Sequence, residues 1–191
     1  MNDSKTKLIV AAAIVLIGGI IAYVAYLPEP AKIEDKPLVS KHSETRFPAP
    51  KLEIDNTLGL ADYNWEFQTA DGKADLLSNY KGKTVFISLW ATWCGPCLAE
   101  MPSVQNLYNE MKDDVVFLVI SNEDLPTVSG FANSGKFNMP FISAEGEVPP
   151  SFVTDVIPTT FIIDKSGKIV VKHVGASQWD DESVKTFLRS L

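Results

Sequence analysis

An α/β domain with a central mixed β-sheet flanked by helices is what this sequence predicts, and four stretches carry that reading. Thr-Val-Phe-Ile-Ser-Leu-Trp at residues 84–90 is a β-branched and aromatic run of the kind that forms a buried strand. Leu98, Met101, Val104, Leu107, Tyr108 and Met111 then recur at helical intervals, and residues 115–120 (Val-Val-Phe-Leu-Val-Ile) form a second strand run, this one wholly apolar. Strand, helix and strand in that order make a βαβ unit. Residues 159–164 and 169–174, joined by Lys165-Ser166-Gly167-Lys168, give a hairpin signal whose strands pair antiparallel, so the sheet is mixed.

The chain before the domain has its own pattern. Residues 8–27 run without one charge, which at about 1.5 Å per residue is enough to cross a hydrocarbon core of roughly 30 Å. Lys5 and Lys7 precede this run and Glu29, Glu34 and Asp35 follow it, so the positive-inside rule sets residues 1–7 in the cytoplasm and the remainder outside. Tyr23 and Tyr26 suit the outer interface. A cleaved signal peptide is the other reading, but the run exceeds an h-region of about 7–15 residues and ends in no A-x-A site. We therefore expect a single-pass transmembrane helix at 8–27. Residues 28–50, with Pro28, Pro30, Pro37, Pro48 and Pro50 among charged and small residues, lack the apolar content for a core and read as a Pro-rich tether. The folded domain is expected over 51–191.

Within the domain, residues 64–69 alternate as a strand and Ala70-Asp71-Gly72-Lys73 supplies a turn before Leu76 and Leu77, an N-terminal hairpin. Tyr80-Lys81-Gly82-Lys83 turns the chain into the central strand. After residues 115–120, Asn122 or Asp124 caps a helix with Pro126 in its first turn, Val128, Phe131 and Ala132 inward, and an end near Gly135. Residues 139–143 read as a short strand and 149–153 as one or two helical turns. Asp180 is the expected cap of a last helix with Val184, Phe187, Leu188 and Leu191 on one face. Pro102 falls inside the long helix, where it deletes one intrahelical bond and should kink it.

A formal charge of −7, with seventeen scattered Lys and Arg residues, leaves no footprint for nucleic acid. The two cysteines, Cys94 and Cys97, stand between the central strand and the helix that follows, at a spacing one helical turn closes. So short a loop staples little, which makes reactivity the better explanation. Unpaired N–H groups and the helix dipole at that junction favour a thiolate on Cys94, the expected attacker and the more exposed of the two, with Cys97 one turn inside as the resolving thiol. The reaction is thiol–disulfide exchange through a mixed disulfide. Zinc would need four ligands, and the chain adds only His42 and His173; a pair of packed core thiols is the remaining bland alternative. No metal or cofactor is expected. Glu100 lies three residues after Cys97, on a neighbouring turn, where it is either a proton relay for the inner thiol or a solvated helix residue.

The order strand, Trp93-Cys94-Gly95-Pro96-Cys97, helix, strand, helix, then Ile157-Pro158-Thr159 before a hairpin resembles the thioredoxin superfamily. More narrowly, residues 86–102 (Phe-Ile-Ser-Leu-Trp-Ala-Thr-Trp-Cys-Gly-Pro-Cys-Leu-Ala-Glu-Met-Pro) resemble the membrane-anchored extracytoplasmic reductases of the TlpA/ResA type, a likeness covering roughly 67–191. The resemblance implies a thioredoxin-like fold with a central insert, here about 137–156. It implies a cis bond at Pro158, beside which the Ile157 backbone pairs with an incoming peptide; the bare sequence reads Pro158 only as a strand's first residue. Ser88 stands where cytoplasmic thioredoxins place a buried aspartate, which leaves Glu100 as the acid/base group. Trp93, Gly95 and Pro96 form the contact rim, and Trp90 belongs to the core. Gly-Pro between the cysteines resembles the reducing thioredoxins, at about −270 mV, and the resemblance implies a protein-disulfide reductase. The family implies an integral-membrane thiol electron donor and, as substrates, disulfide-containing extracytoplasmic proteins such as apocytochrome c or copper-assembly proteins, at the periplasmic side of the bacterial inner membrane. A disulfide isomerase or oxidase, and a non-catalytic binding module on the same scaffold, are the competing classes.

Overall fold

The computed structural model describes residues 47–191. The expected tail, the span at 8–27, His42 and most of the tether lie outside the described residues; no helix among the described residues is long and apolar enough to cross a membrane. The chain is already docked where the description begins: Gln178 N–H donates to the Pro48 carbonyl at 3.1 Å, and Pro50 is buried.

Seven strands form one sheet: β1 (Glu66–Thr69), β2 (Ala74–Leu76), β3 (Thr84–Trp90), β4 (Val115–Ser121), β5 (Phe141–Ser143), β6 (Thr159–Ile163) and β7 (Ile169–Val174). Their order is β2-β1-β5-β4-β3-β6-β7. β3 and β4 pair parallel, as do β4 and β5, while β6 runs antiparallel to both β3 and β7. The N-terminal hairpin is present, Gly72 turning it at φ +82°, and β1 also pairs antiparallel with β5. The insert thus contributes β5 to the middle of the sheet, besides a 3-10 turn at Pro150–Phe152.

The largely apolar β3 and β4 strands are buried, but for half-buried Leu89 and Val116, because both sheet faces are covered. On one face Phe86 and Trp90 of β3 meet Met101, Val104 and Leu107 of helix α1 (Gly95–Met111). Helices α2 (Leu125–Ala132), through Val128, and α3 (Glu182–Arg189), through Val184 and Leu188, pack on that same face. The two parallel crossovers, β3 to β4 and β4 to β5, step the same way across the sheet, and a fixed crossover hand then sends both helices to one side. The other face, with Val85, Ile87 and Phe161, is covered by Trp65, Leu77 and Phe152 from the hairpin region and the insert. Trp65 and Phe152 stack there at 5.0 Å.

Helix starts follow side-chain chemistry. Asp124 caps α2, its carboxylate accepting the Thr127 N–H at 2.8 Å. For α3 the cap is Asp181, which accepts from Ser183 N–H at 2.9 Å, and not Asp180 as the sequence suggests. The Asp180 carboxylate is drawn instead to Asn106 Nδ2 on α1, 2.7 Å away, and to Gln178 Nε2. Helix α1 runs through Pro102 as one element, with that residue exposed.

Candidate active site

Strand register builds the site. Trp90 at the end of β3 pairs with Ser121 at the end of parallel β4, so the loops leaving both carboxyl ends emerge side by side. Leu89 pairs with Thr159, the first residue of antiparallel β6, which brings Pro158 to the same edge. Topology alone therefore joins residues 92–97, 121–124 and 156–159.

The first two loops are tied by a carboxylate. Glu123 accepts the Thr92 N–H at 2.7 Å through Oε2 and the Thr92 hydroxyl at 2.6 Å through Oε1, and Ser121 Oγ donates to it at 3.0 Å. This clamp fixes the chain two residues before Cys94. Cys94 is the N-cap of α1: its backbone is extended, and its Sγ accepts the Cys97 N–H at 3.2 Å, using one of the donors a helix start leaves free. Pro96 lies in the first turn, where a missing N–H costs nothing. Cys94 and Cys97 are joined as a disulfide with Cα atoms 5.3 Å apart. Cys94 is 4% exposed and Cys97 1%, the expected order, although in this oxidised form neither stands open to solvent. Around them Trp93, 73% exposed, Gly95 and Pro96 form a surface rim. A Cβ on Gly95 would meet nothing within 4 Å, so this position is held small by neither packing nor backbone.

The Ile157–Pro158 peptide bond is cis. The Pro158 carbonyl accepts from Gly175 N–H at 2.9 Å, and Thr159 Oγ1 and Thr154 Oγ1 both donate to the Val156 carbonyl. Between them the N–H and C=O of Ile157 have no hydrogen-bond partner among the described residues. Ile157, Trp93, Val153, Val156, Trp65 and Phe152 are among the residues lining a mostly apolar groove of about 290 Å³, in which Asp155 is the one charged residue.

Glu100, one turn beyond Cys97, is 2% exposed, so the solvated-residue reading is overturned. Its Oε2 accepts two hydrogen bonds, from Ser177 N–H and from Trp179 Nε1–H, each 3.0 Å. Burial pushes its carboxyl up from 4.5 to about 7, against the opposing pull of those two donors. Ser88, 3% exposed, adds no carboxylate beneath the helix. Trp90 is a core residue as expected, 2% exposed, with its Nε1–H on the Val119 carbonyl at 3.2 Å. Among the described residues no group of three or more His, Cys, Asp or Glu side chains could hold a metal ion.

Sequence reasoning missed Glu123, Ser177 and Trp179. The last two lie 77 and 79 residues from Glu100, in a loop without periodicity, and no local pattern announces such a pairing.

Chemically, the arrangement offers an exchangeable disulfide at a helix start, a carboxyl poised near neutrality one turn along, and an unpaired backbone beside an apolar groove. Known proteins agree with it. A family model described as Redoxin matches residues 45–188. The thiol-disulfide oxidoreductase ResA of Bacillus thuringiensis subsp. konkukian is 31% identical over 144 residues, 74% of this chain and 80% of that protein. ResA of Bacillus subtilis is 36% identical over 110 residues, 56% of this chain and 62% of that one. Among solved structures, the thiol:disulfide interchange protein of Chlorobium tepidum, a thioredoxin family protein, shares 30% identity at a TM-score of 0.58, covering 68% of this chain and 97% of its own. The exposed lipoprotein thioredoxin of Streptococcus pneumoniae shares 29% at 0.58, covering 67% and 99%. With that coverage, and with the fold and disulfide described above, the chain belongs to the Redoxin family, as a thiol-disulfide oxidoreductase of the TlpA/ResA type within the thioredoxin superfamily.

Proposed function

We propose that the protein is a membrane-anchored protein-disulfide reductase acting outside the cytoplasm, with Cys94 as nucleophile, Cys97 as resolving thiol and Glu100 as the proton relay between Cys97 and solvent. The observation that carries this reading is the disulfide placed at the first turn of α1, Cys94 in the cap position and Cys97 buried behind it. In the reduced protein the Cys94 thiolate is favoured by the helix N-terminus. It attacks a substrate disulfide, forms a bond to one substrate sulfur and releases the other as a thiolate. Cys97 then gives its proton to Glu100 and attacks Cys94 Sγ, releasing the second substrate thiolate and closing the Cys94–Cys97 bond. Two electrons pass to the substrate, and a thiol donor must restore the dithiol.

A carboxyl near about 7 suits the relay, because it can both accept and return a proton at neutral pH. Of its two oxygens, Oε2 is occupied by the Ser177 and Trp179 donors, whereas Oε1 accepts no hydrogen bond among the described residues and is the atom left for the exchange. An extended substrate segment would pair with the Ile157 backbone next to Pro158 and rest on Trp93, Gly95 and Pro96, with a side chain in the adjoining groove. The extracytoplasmic location rests on the charge pattern around residues 8–27. That location calls for an integral-membrane thiol donor and for extracytoplasmic substrates, of which oxidised apocytochrome c and copper-assembly proteins are the classes the TlpA/ResA resemblance suggests.

Trapping tests the proposal. Cys97→Ala should accumulate a mixed disulfide through Cys94 with its substrates, identifiable after non-reducing separation, and Cys94→Ser should accumulate none. Full activity in Cys94→Ser would make the domain a binding module instead, and a measured potential well above about −200 mV would make it an oxidase or isomerase.

A further inference from the structure

Beyond the cysteines and Glu100, two side chains touch both residues that hold the Glu100 carboxylate: Ser103 of α1, through their backbones, and His173, through their side chains. His173 lies on β7, in register with Thr160 of β6 and two residues before the loop that carries Ser177 and Trp179. Its Nε2 is 2.8 Å from Ser177 Oγ, and its ring meets the Trp179 indole edge to face, centroids 5.4 Å apart at 89°. Ser177 N–H and Trp179 Nε1–H are the two donors to Glu100 Oε2. The same loop is held from below, Trp179 N–H donating to Ser103 Oγ at 3.1 Å while that hydroxyl donates to the Glu100 carbonyl at 2.8 Å. Phe86 packs against the indole edge to face, centroids 5.1 Å apart. His173 is the half-exposed end of this otherwise buried set.

We propose that His173 is a positioning residue for the resolving step, its imidazole fixing Ser177 by a hydrogen bond and Trp179 by ring packing so that both donors stay on Glu100 Oε2. The inference rests on the Glu100 reading above. Histidine suits the place because it joins a hydrogen-bonding nitrogen to an aromatic ring. A phenylalanine keeps only the ring, and a glutamine only the polar contact. The groups facing the imidazole are few. Ser177 and Trp179 are uncharged, Thr160 is its neighbour on β6, and from α1 the titratable group in this hydrogen-bonded set is Glu100. Lys172, the next residue on β7, serves the opposite sheet face, its Nζ over the Phe161 ring and bonded to the Val153 carbonyl. Asp180 is engaged by Asn106 and Gln178. Burial holds His173 below its ordinary value, which keeps the ring neutral at neutral pH, with one donor and one acceptor nitrogen.

The sign of the effect follows from the donors. Both lower the Glu100 pKa, so loosening them should raise it and move the pH profile of the resolving step to higher pH. The experiment follows release of a preformed mixed disulfide on Cys94 by stopped flow from pH 5 to 9. It compares the parent, His173→Phe, His173→Gln and Ser177→Ala, each with and without Glu100→Gln. Ser177→Ala removes only the hydroxyl that His173 engages and leaves the backbone donor in place, so it reports even if a His173 variant folds poorly. We expect His173→Phe and Ser177→Ala to slow release roughly fivefold, the effect of one lost neutral hydrogen bond, and to shift the profile upward. His173→Gln should recover part of the rate. None should slow release further once Glu100 is Gln, and the first attack by Cys94 should be unchanged. Unaltered rates and profiles in His173→Phe and Ser177→Ala, with Glu100→Gln still slow, would overturn the role of His173 and leave that of Glu100 standing. Equal slowing in the Glu100→Gln background would reduce His173 to a structural residue. A Glu100→Gln variant as fast as the parent would remove both readings.

Discussion

Replacing Glu100 by Gln should change how stability depends on pH, and the structure sets the size. The carboxyl is 2% exposed and lies at about 7 instead of 4.5. A folded-state pKa raised above the unfolded value means that the native protein holds this proton more tightly than the unfolded chain. The associated stability is therefore fully present below about 4.5 and is lost as pH rises through about 7. At roughly 1.4 kcal/mol per pH unit, that rise amounts to about 3 kcal/mol of stability given up between pH 4.5 and neutrality. Glutamine does not ionise, yet its amide oxygen can still accept from Ser177 N–H and Trp179 Nε1–H. Urea unfolding of the oxidised protein, in which the cysteines do not titrate, should show the stability of Glu100→Gln relative to the parent climbing by about 3 kcal/mol over that window and flat on either side. In the reduced protein the same change should slow resolution of a mixed disulfide about 10²-fold or more, the lower range for a positioned general base, while Cys94 attack changes much less. A stability difference independent of pH would refute the desolvated, raised carboxyl. Equal release rates with one pH profile would refute the relay.

Other outcomes follow from the same geometry. In the reduced protein Cys94 should titrate below about 8.5 and react with iodoacetamide before Cys97 throughout pH 6–9; faster labelling of Cys97 would reverse the assigned roles. Glu123→Ala strands the N–H and hydroxyl of Thr92 and should cost about 1–3 kcal/mol in denaturant unfolding, with an unchanged midpoint counting against the clamp. Protease added to intact spheroplasts should digest the domain beyond Leu27, and a protected domain would reverse the proposed topology.

Much of this was legible because it is local. The apolar runs of β3 and β4, the hairpin turn at 164–168, the Asp124 cap and the CxxC at a strand-to-helix junction each express a preference that a few neighbouring residues decide. Where the local signal was ambiguous, packing chose: Asp181 and not Asp180 caps α3, because Asn106 of α1 takes the Asp180 carboxylate.

The redox pair, its attachment to a helix start and the strands that hold it are written locally, since spacing of two to seven residues specifies them. What surrounds that pair comes from packing. From its helical position Glu100 reads as a partly buried relay with a solvated residue as the alternative, and its environment comes from Ser177 and Trp179, more than seventy residues later. Glu123 and Thr92 meet because β3 and β4 end in register, 31 residues apart along the chain. Burial and pairing across such distances depend on which elements the core brings together, and a carboxyl's affinity for its proton is set by that desolvation and those donors and by nothing in the adjacent sequence.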